Sequence, residues 1–219
     1  MDPYAYIREA VSALRMKDQA FKLFGANGHE YEFQSPCPEN ELVEFEQKHG
    51  ITLPREYRGF LTEVGNGGAG PFYGVFKLGE MDDGHGEGPW EQGVFVGTLR
   101  DPWPHRAEWN LPDEDLAFPE DLSDEEAEVA VEARDKKYWN ESLVAGAFPL
   151  CHQGCALRDW LVVTGPEAGQ VWYDGRAHNE GLRPYERADG RRRTFLDWYI
   201  DWLDDALRKF KISVPPSVK

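Results

Sequence analysis

Cysteine is scarce in this chain. Cys37, Cys151 and Cys155 are an odd number and too few for a disulfide framework, so free thiols in a reducing compartment are expected. No run of about 18 apolar residues occurs anywhere, which excludes an ordinary membrane-spanning helix. The opening MDPYAYIREA has neither the basic start nor the apolar stretch of a secretory signal, and a cytoplasmic location is expected. Basic residues are also short: 24 Lys and Arg stand against 40 Asp and Glu, a formal net charge of −16. Neutralising phosphates needs basic surface, so neither nucleic acid nor a membrane is expected as a partner, and a basic protein is.

What is present suits a globular fold. Apolar residues make up 41% of the chain and aromatic ones 13%, ample for a packed core. Asp2 can cap a helix that has Pro3 at its first position and Ile7, Ala10, Val11 and Leu14 on one face. A short strand is expected at Tyr31 to Phe33. A second helix carries Leu42 and Phe45 and stops at Gly50; a third opens at Pro54 and buries Tyr57, Phe60, Leu61 and Val64. Ser123 and Glu126 form a capping-box pattern for an acidic, weakly amphipathic helix reaching toward Tyr138. WLVVT, GPEAG and QVWYD, residues 160–174, read as strand, turn and strand. Thr194 with Asp197 opens a last helix with Phe195, Trp198, Tyr199, Trp202, Ala206 and Phe210 at helical spacing, a stripe wide enough to cover a sheet.

The stretch GNGGAGPFYG, residues 65–74, could suggest a phosphate loop. Its order is helix, glycines, then an expected strand at Val75 to Leu78, whereas a phosphate loop runs from a strand into a helix N-terminus and is usually followed by Lys and Ser or Thr. A turn with positive φ at Asn66 and Gly67 is the expectation instead. Between Met81 and Glu141 stand 18 acidic and 5 basic residues, so this stretch holds −13 of the −16. Within it Val94 to Leu99 reads as a strand, and Asp101 to Asp121, with four prolines, as an irregular excursion.

Two parts of the chain, residues 36–80 and 150–207, resemble the SUKH superfamily, the Smi/Knr-type family. The resemblance rests on a helix pair from Glu46 to Leu61, an NGG turn at Asn66 to Gly68, a GCA turn at Gly154 to Ala156, a G-x-V-W strand from Gly169 to Trp172, and an aromatic last helix from Phe195 to Leu203. Ala156 stands where the family commonly has glycine. The resemblance implies an α+β fold in which a twisted, mainly antiparallel sheet packs against the N-terminal helices and a C-terminal aromatic helix. It implies one domain over residues 1–219, with 81–145 a family-variable acidic insertion; the tail at 213–219, with two prolines, is expected to fray. It also implies a non-enzymatic protein: bacterial members are mostly immunity proteins that neutralise toxins, often nucleases, and a fungal relative regulates cell-wall glucan synthesis.

An acidic inhibitor can mimic nucleic acid on a nuclease's basic surface. A cognate toxin protein of basic character is therefore the expected partner. The contact residues expected are Asp82, Asp83, Glu87, Trp90 and Glu91 in one loop, and Asp101, Trp103, Glu108, Trp109, Asp113, Glu114 and Asp115 in the excursion, with the tryptophans as exposed anchors. Cys151, His152 and Cys155 lack the further ligands of a zinc site, His178 being the only nearby histidine, and Cys155 reads as a small buried turn residue. Glu167 with Asp174, or Asp82 with Asp83, could pair for acid-base work, yet no nucleophile has supporting context. No catalytic residue, cofactor or metal is assigned. Arg191, Arg192 and Arg193 read as a solvated loop. The oligomeric state stays open.

Overall fold

Ile7, Ala10, Val11 and Leu14 all lie buried along helix α1 (Pro3–Lys17) of the computed structural model, which describes residues 2–82, 87–91, 93, 95–117 and 122–213. The Asp2 carboxylate accepts from the Ala5 amide at 2.7 Å, so the expected cap opens this helix. After the single turn α2 (Ala26–His29) come α3 (Glu39–His49), which ends at Gly50 with φ +66°, and α4 (Arg55–Glu63). Phe60 of α4 is fully buried among the rings of Phe33, Tyr57, Phe195 and Tyr199.

Strands β1 (Glu80–Asp82) and β2 (Glu87–Pro89) make a small antiparallel pair. Two helices follow, α5 (Asp113–Leu116) and α6 (Asp124–Tyr138). The main sheet is antiparallel in chain order: β3 (Ala147–Gly154), β4 (Leu157–Val162), β5 (Val171–Asp174) and β6 (Leu182–Pro184). The expected hairpin is thus β4–β5. Helix α7 (Phe195–Phe210) opens with the Thr194–Asp197 capping box and packs on α1 and α4. The architecture is α+β, with seven helices and two antiparallel sheets among the described residues.

Three expected strands are not strands. Tyr31–Phe33 and Val75–Leu78 shrink to single bridges, both made to Gly68. Gly68 has φ +103°, and a Cβ there would come 2.3 Å from the Glu32 carbonyl oxygen. The glycine loop therefore threads between two chain segments too closely for a side chain. Gly68 N donates to Val75 O and Ala69 N to Glu32 O, so these amides serve the fold. Positive φ falls on Gly67 and Gly68; Asn66 instead accepts from the Leu78 amide through its side chain at 2.9 Å. Residues 95–99 hold no named strand, and Val94 lies outside the described residues, as does 214–219 of the expected tail.

Candidate functional site

The residues singled out from the sequence fall into two places. The first surrounds β1 and β2. Asp82 faces His152 at 3.7 Å, and the Arg158 guanidinium donates to its main-chain oxygen at 3.1 Å. His152 is itself stacked on Tyr73, with centroids 4.5 Å apart. Trp90 is half-buried against Phe45 and His49, at a groove of about 470 Å³, and Glu91 is exposed. Asp83 and the side chain of Glu87 lie outside the described residues.

The second place is the excursion that follows. Trp103 is only 2% exposed and meets Trp172 of β5 at 5.1 Å. Trp109 is half-buried between His105 and Tyr138, and it exchanges backbone hydrogen bonds of 2.8 and 2.7 Å with Leu182, extending the sheet past β6. Trp103 is therefore core and Trp109 a docking ring for its own segment, which corrects the expectation of exposed anchors. Buried rings and a few backbone hydrogen bonds, including Trp103 N to Thr164 O at 2.9 Å, together hold this proline-rich segment in place. Its carboxylates point the other way: Asp101, Glu108, Asp113, Glu114 and Asp115 are all exposed.

Helix α6 continues this surface, although sequence reasoning did not include it among the contact residues. Both halves of its capping box form, yet Tyr138 is its only buried residue. Tyr138 fixes the helix end: its hydroxyl donates to Asn110 Oδ1 at 2.6 Å and accepts from the Gly181 amide at 3.1 Å. Its carbonyl accepts from Arg176, a buried guanidinium that also forks onto Asp174. Along the rest of α6, Asp124, Glu125, Glu128 and Glu132 are exposed, and Val129 among them is 63% exposed. None of these carboxylates, nor those of the excursion, has an ion-pair partner among the described residues. The available signal was the weak amphipathicity of α6, which leaves valine and glutamate sharing one side.

The remaining reactive groups are committed to the fold. Asp159 is fully buried and accepts from Gln153, Tyr185, Trp198 and the Cys151 thiol. Burial pushes its pKa up to about 7, against the pull of those donors. The Cys151 thiol is raised well above its ordinary value, first by burial and then by Asp159. Cys155 is exposed in the β3–β4 turn at φ +50°, which corrects its reading as buried. Glu167 pairs with Arg106 and Asp174 with Arg176, so each carboxylate of the weighed acid-base pair is held by an arginine. No group of three or more His, Cys, Asp or Glu placed to hold a metal occurs among the described residues. No helix among them is long and apolar enough to cross a membrane.

Comparison with known proteins adds a family. The model of the SMI1 / KNR4 family (SUKH-1) matches residues 36–189, a span that includes α3, α4, the acidic segment and the whole main sheet. No curated protein and no solved structure gives a significant match.

Proposed function

Because the chain belongs to the SMI1 / KNR4 family (SUKH-1), we propose that it is an immunity protein, which binds a basic toxin domain and blocks it by stoichiometric contact. The observation that carries this reading is the run of exposed carboxylates from Asp101 to Glu132, none of them ion-paired among the described residues. Such a surface repels anions and raises the encounter rate of a cationic protein. The contact surface proposed comprises Asp82, Asp83, Glu87, Trp90 and Glu91 with Asp101, Glu108, Asp113, Glu114 and Asp115. Protection then needs occupancy alone, with no turnover, cofactor or metal.

The test is to recover the partner of the tagged chain from its source cells under washes at moderate salt, and to produce that partner's basic domain in a naive host. Growth arrest relieved by one equivalent of this chain supports the proposal. A partner without toxicity would place the chain among scaffold or regulatory modules and overturn it.

A further inference from the structure

We infer that the cleft between α7 and the loop at Pro71 and Phe72 is a binding site for a neutral saccharide. The site is separate from the toxin contact proposed above and does not rest on it. Trp198, Asp201, Trp202 and Asp205 recur at i, i+3, i+4 and i+7, so α7 carries them on one side, beside the core-facing Tyr199 and Leu203. Across from them stands Phe72 at φ +54°, a left-handed conformation that a non-glycine residue rarely adopts. Gly25 lets the neighbouring loop close on it: a Cβ there would come 1.9 Å from the Phe72 carbonyl oxygen. The cleft left between helix and loop measures about 450 Å³, the size of a small-ligand site.

Its rings are anchored from outside the cleft. The Tyr185 hydroxyl donates to Oδ1 of the buried Asp159 at 3.0 Å, and Trp198 Nε1 donates to Oδ2 at 3.1 Å. Trp202 meets His29 and Tyr199 edge-on, and Phe72 meets Phe24 in the same way. Four aromatic side chains thus line the cleft in held positions, so little side-chain freedom is lost when an apolar face stacks on them. The polar lining is of both kinds: Asp201 pairs with Arg193, Asp205 pairs with Arg208, and Asp204 accepts from the Tyr6 hydroxyl. Each contact engages one carboxylate oxygen, which leaves acceptor sites at all three aspartates and N–H donors at both arginines. An anionic ligand would face three carboxylates here, and a cationic one two guanidiniums. A proline-rich segment would bring carbonyls but no donors for the carboxylates. A sugar hydroxyl donates and accepts at once, and the C–H face of a pyranose ring covers aromatic surface, so a saccharide satisfies every group in the lining.

The test titrates maltose, cellobiose and chitobiose into the full chain, with indole fluorescence and the amide resonances of an isotope-labelled sample as readouts. At least one sugar should shift amides of residues 69–74 and 185–208 saturably, and equally at low and high salt because the ligand is uncharged. Trp202→Ala should weaken that binding about tenfold or more. Phe72→Gly removes the ring and puts at φ +54° the residue that tolerates it, so binding should weaken while the parent thermal midpoint is kept. Replacing Glu128 and Glu132 by Gln should leave sugar binding unchanged. No saturable shift with any of the sugars, shifts confined to other parts of the chain, or binding that both ring variants leave intact would each overturn the assignment. Shifts at the cleft with a proline decamer and none with the sugars would overturn it too, and would give the cleft to a peptide.

Discussion

From Asp174 to Arg208 the chain has eight carboxylates, and seven lie against arginines: Asp174 with Arg176, Glu180 with Arg183, Glu186 with Arg192, Asp189 with Arg191, Asp197 with Arg187, Asp201 with Arg193 and Asp205 with Arg208. The eighth, Asp204, accepts from the Tyr6 hydroxyl. From Asp101 to Glu132 the ten described carboxylates have no such partner among the described residues. Apart from the buried Asp174–Arg176 pair, the pairs near α7 are partly or largely exposed ion pairs, which contribute about 0 to 1 kcal/mol each, so they are a minor source of stability. Their consequence is local neutrality. The net charge of the molecule is therefore concentrated in the stretch between Met81 and Glu141, whose later part is held to the sheet by Trp103, Trp109 and Tyr138, while the aromatic core beneath α7 maintains the fold.

That division can be broken from either side. The largest effect is expected in the core: Phe60→Ala should cost about 3 to 5 kcal/mol, read from urea unfolding, and a loss below about 1 kcal/mol would mean that the aromatic cluster does not carry the fold. Asp159 comes next. Its pKa of about 7 stands above the ordinary 3.8, so its contribution to stability is fully present below about pH 4 and is lost as pH rises through 7. The stability of the parent relative to Asp159→Asn should fall by roughly 3 to 4 kcal/mol between pH 4 and pH 7.5, at about 1.4 kcal/mol per unit. A relative stability that rises over this range would show the four donors holding the carboxylate ionised. Thr194→Ala removes the cap of α7 and should cost about 1 kcal/mol by the same assay; no change would leave the helix start held by packing alone. On the acidic side, replacing Glu128 and Glu132 by Gln should move stability by less than about 0.5 kcal/mol. A larger drop would mean that these charges serve the fold.

The two regions also differ in what the sequence reveals. Caps and periodicity show α1, α3, α4, α6 and α7, because the signals lie within each helix. The β4–β5 hairpin is legible for the same reason, with its turn and both strands contiguous. Strand β3 is obscured by Pro149 and by two register shifts, between Pro149 and Cys151 and between His152 and Gly154. Strand β6 is three residues long, and its pairing with Trp109 depends on a chain segment far away in sequence. The same limit governs side chains. Acidity can be read from residue type, but the inward turn of Trp103 depends on Trp172, and that of Trp109 on Tyr138. In the run Arg191, Arg192 and Arg193, Arg191 stays solvated beside its near neighbour Asp189, whereas Arg192 and Arg193 meet Glu186 and Asp201.

The most direct measurement is the association rate of the recovered toxin domain at two salt concentrations, with the parent chain and two variants. One carries amides in place of Asp113, Glu114, Asp115, Glu125, Glu128 and Glu132; the other carries amides in place of the paired Glu186, Asp189 and Asp205. The first should slow association about tenfold or more at low salt and flatten its salt dependence, and the second should match the parent. Equal rates and equal salt dependence for all three would contradict an acidic face that captures a basic toxin.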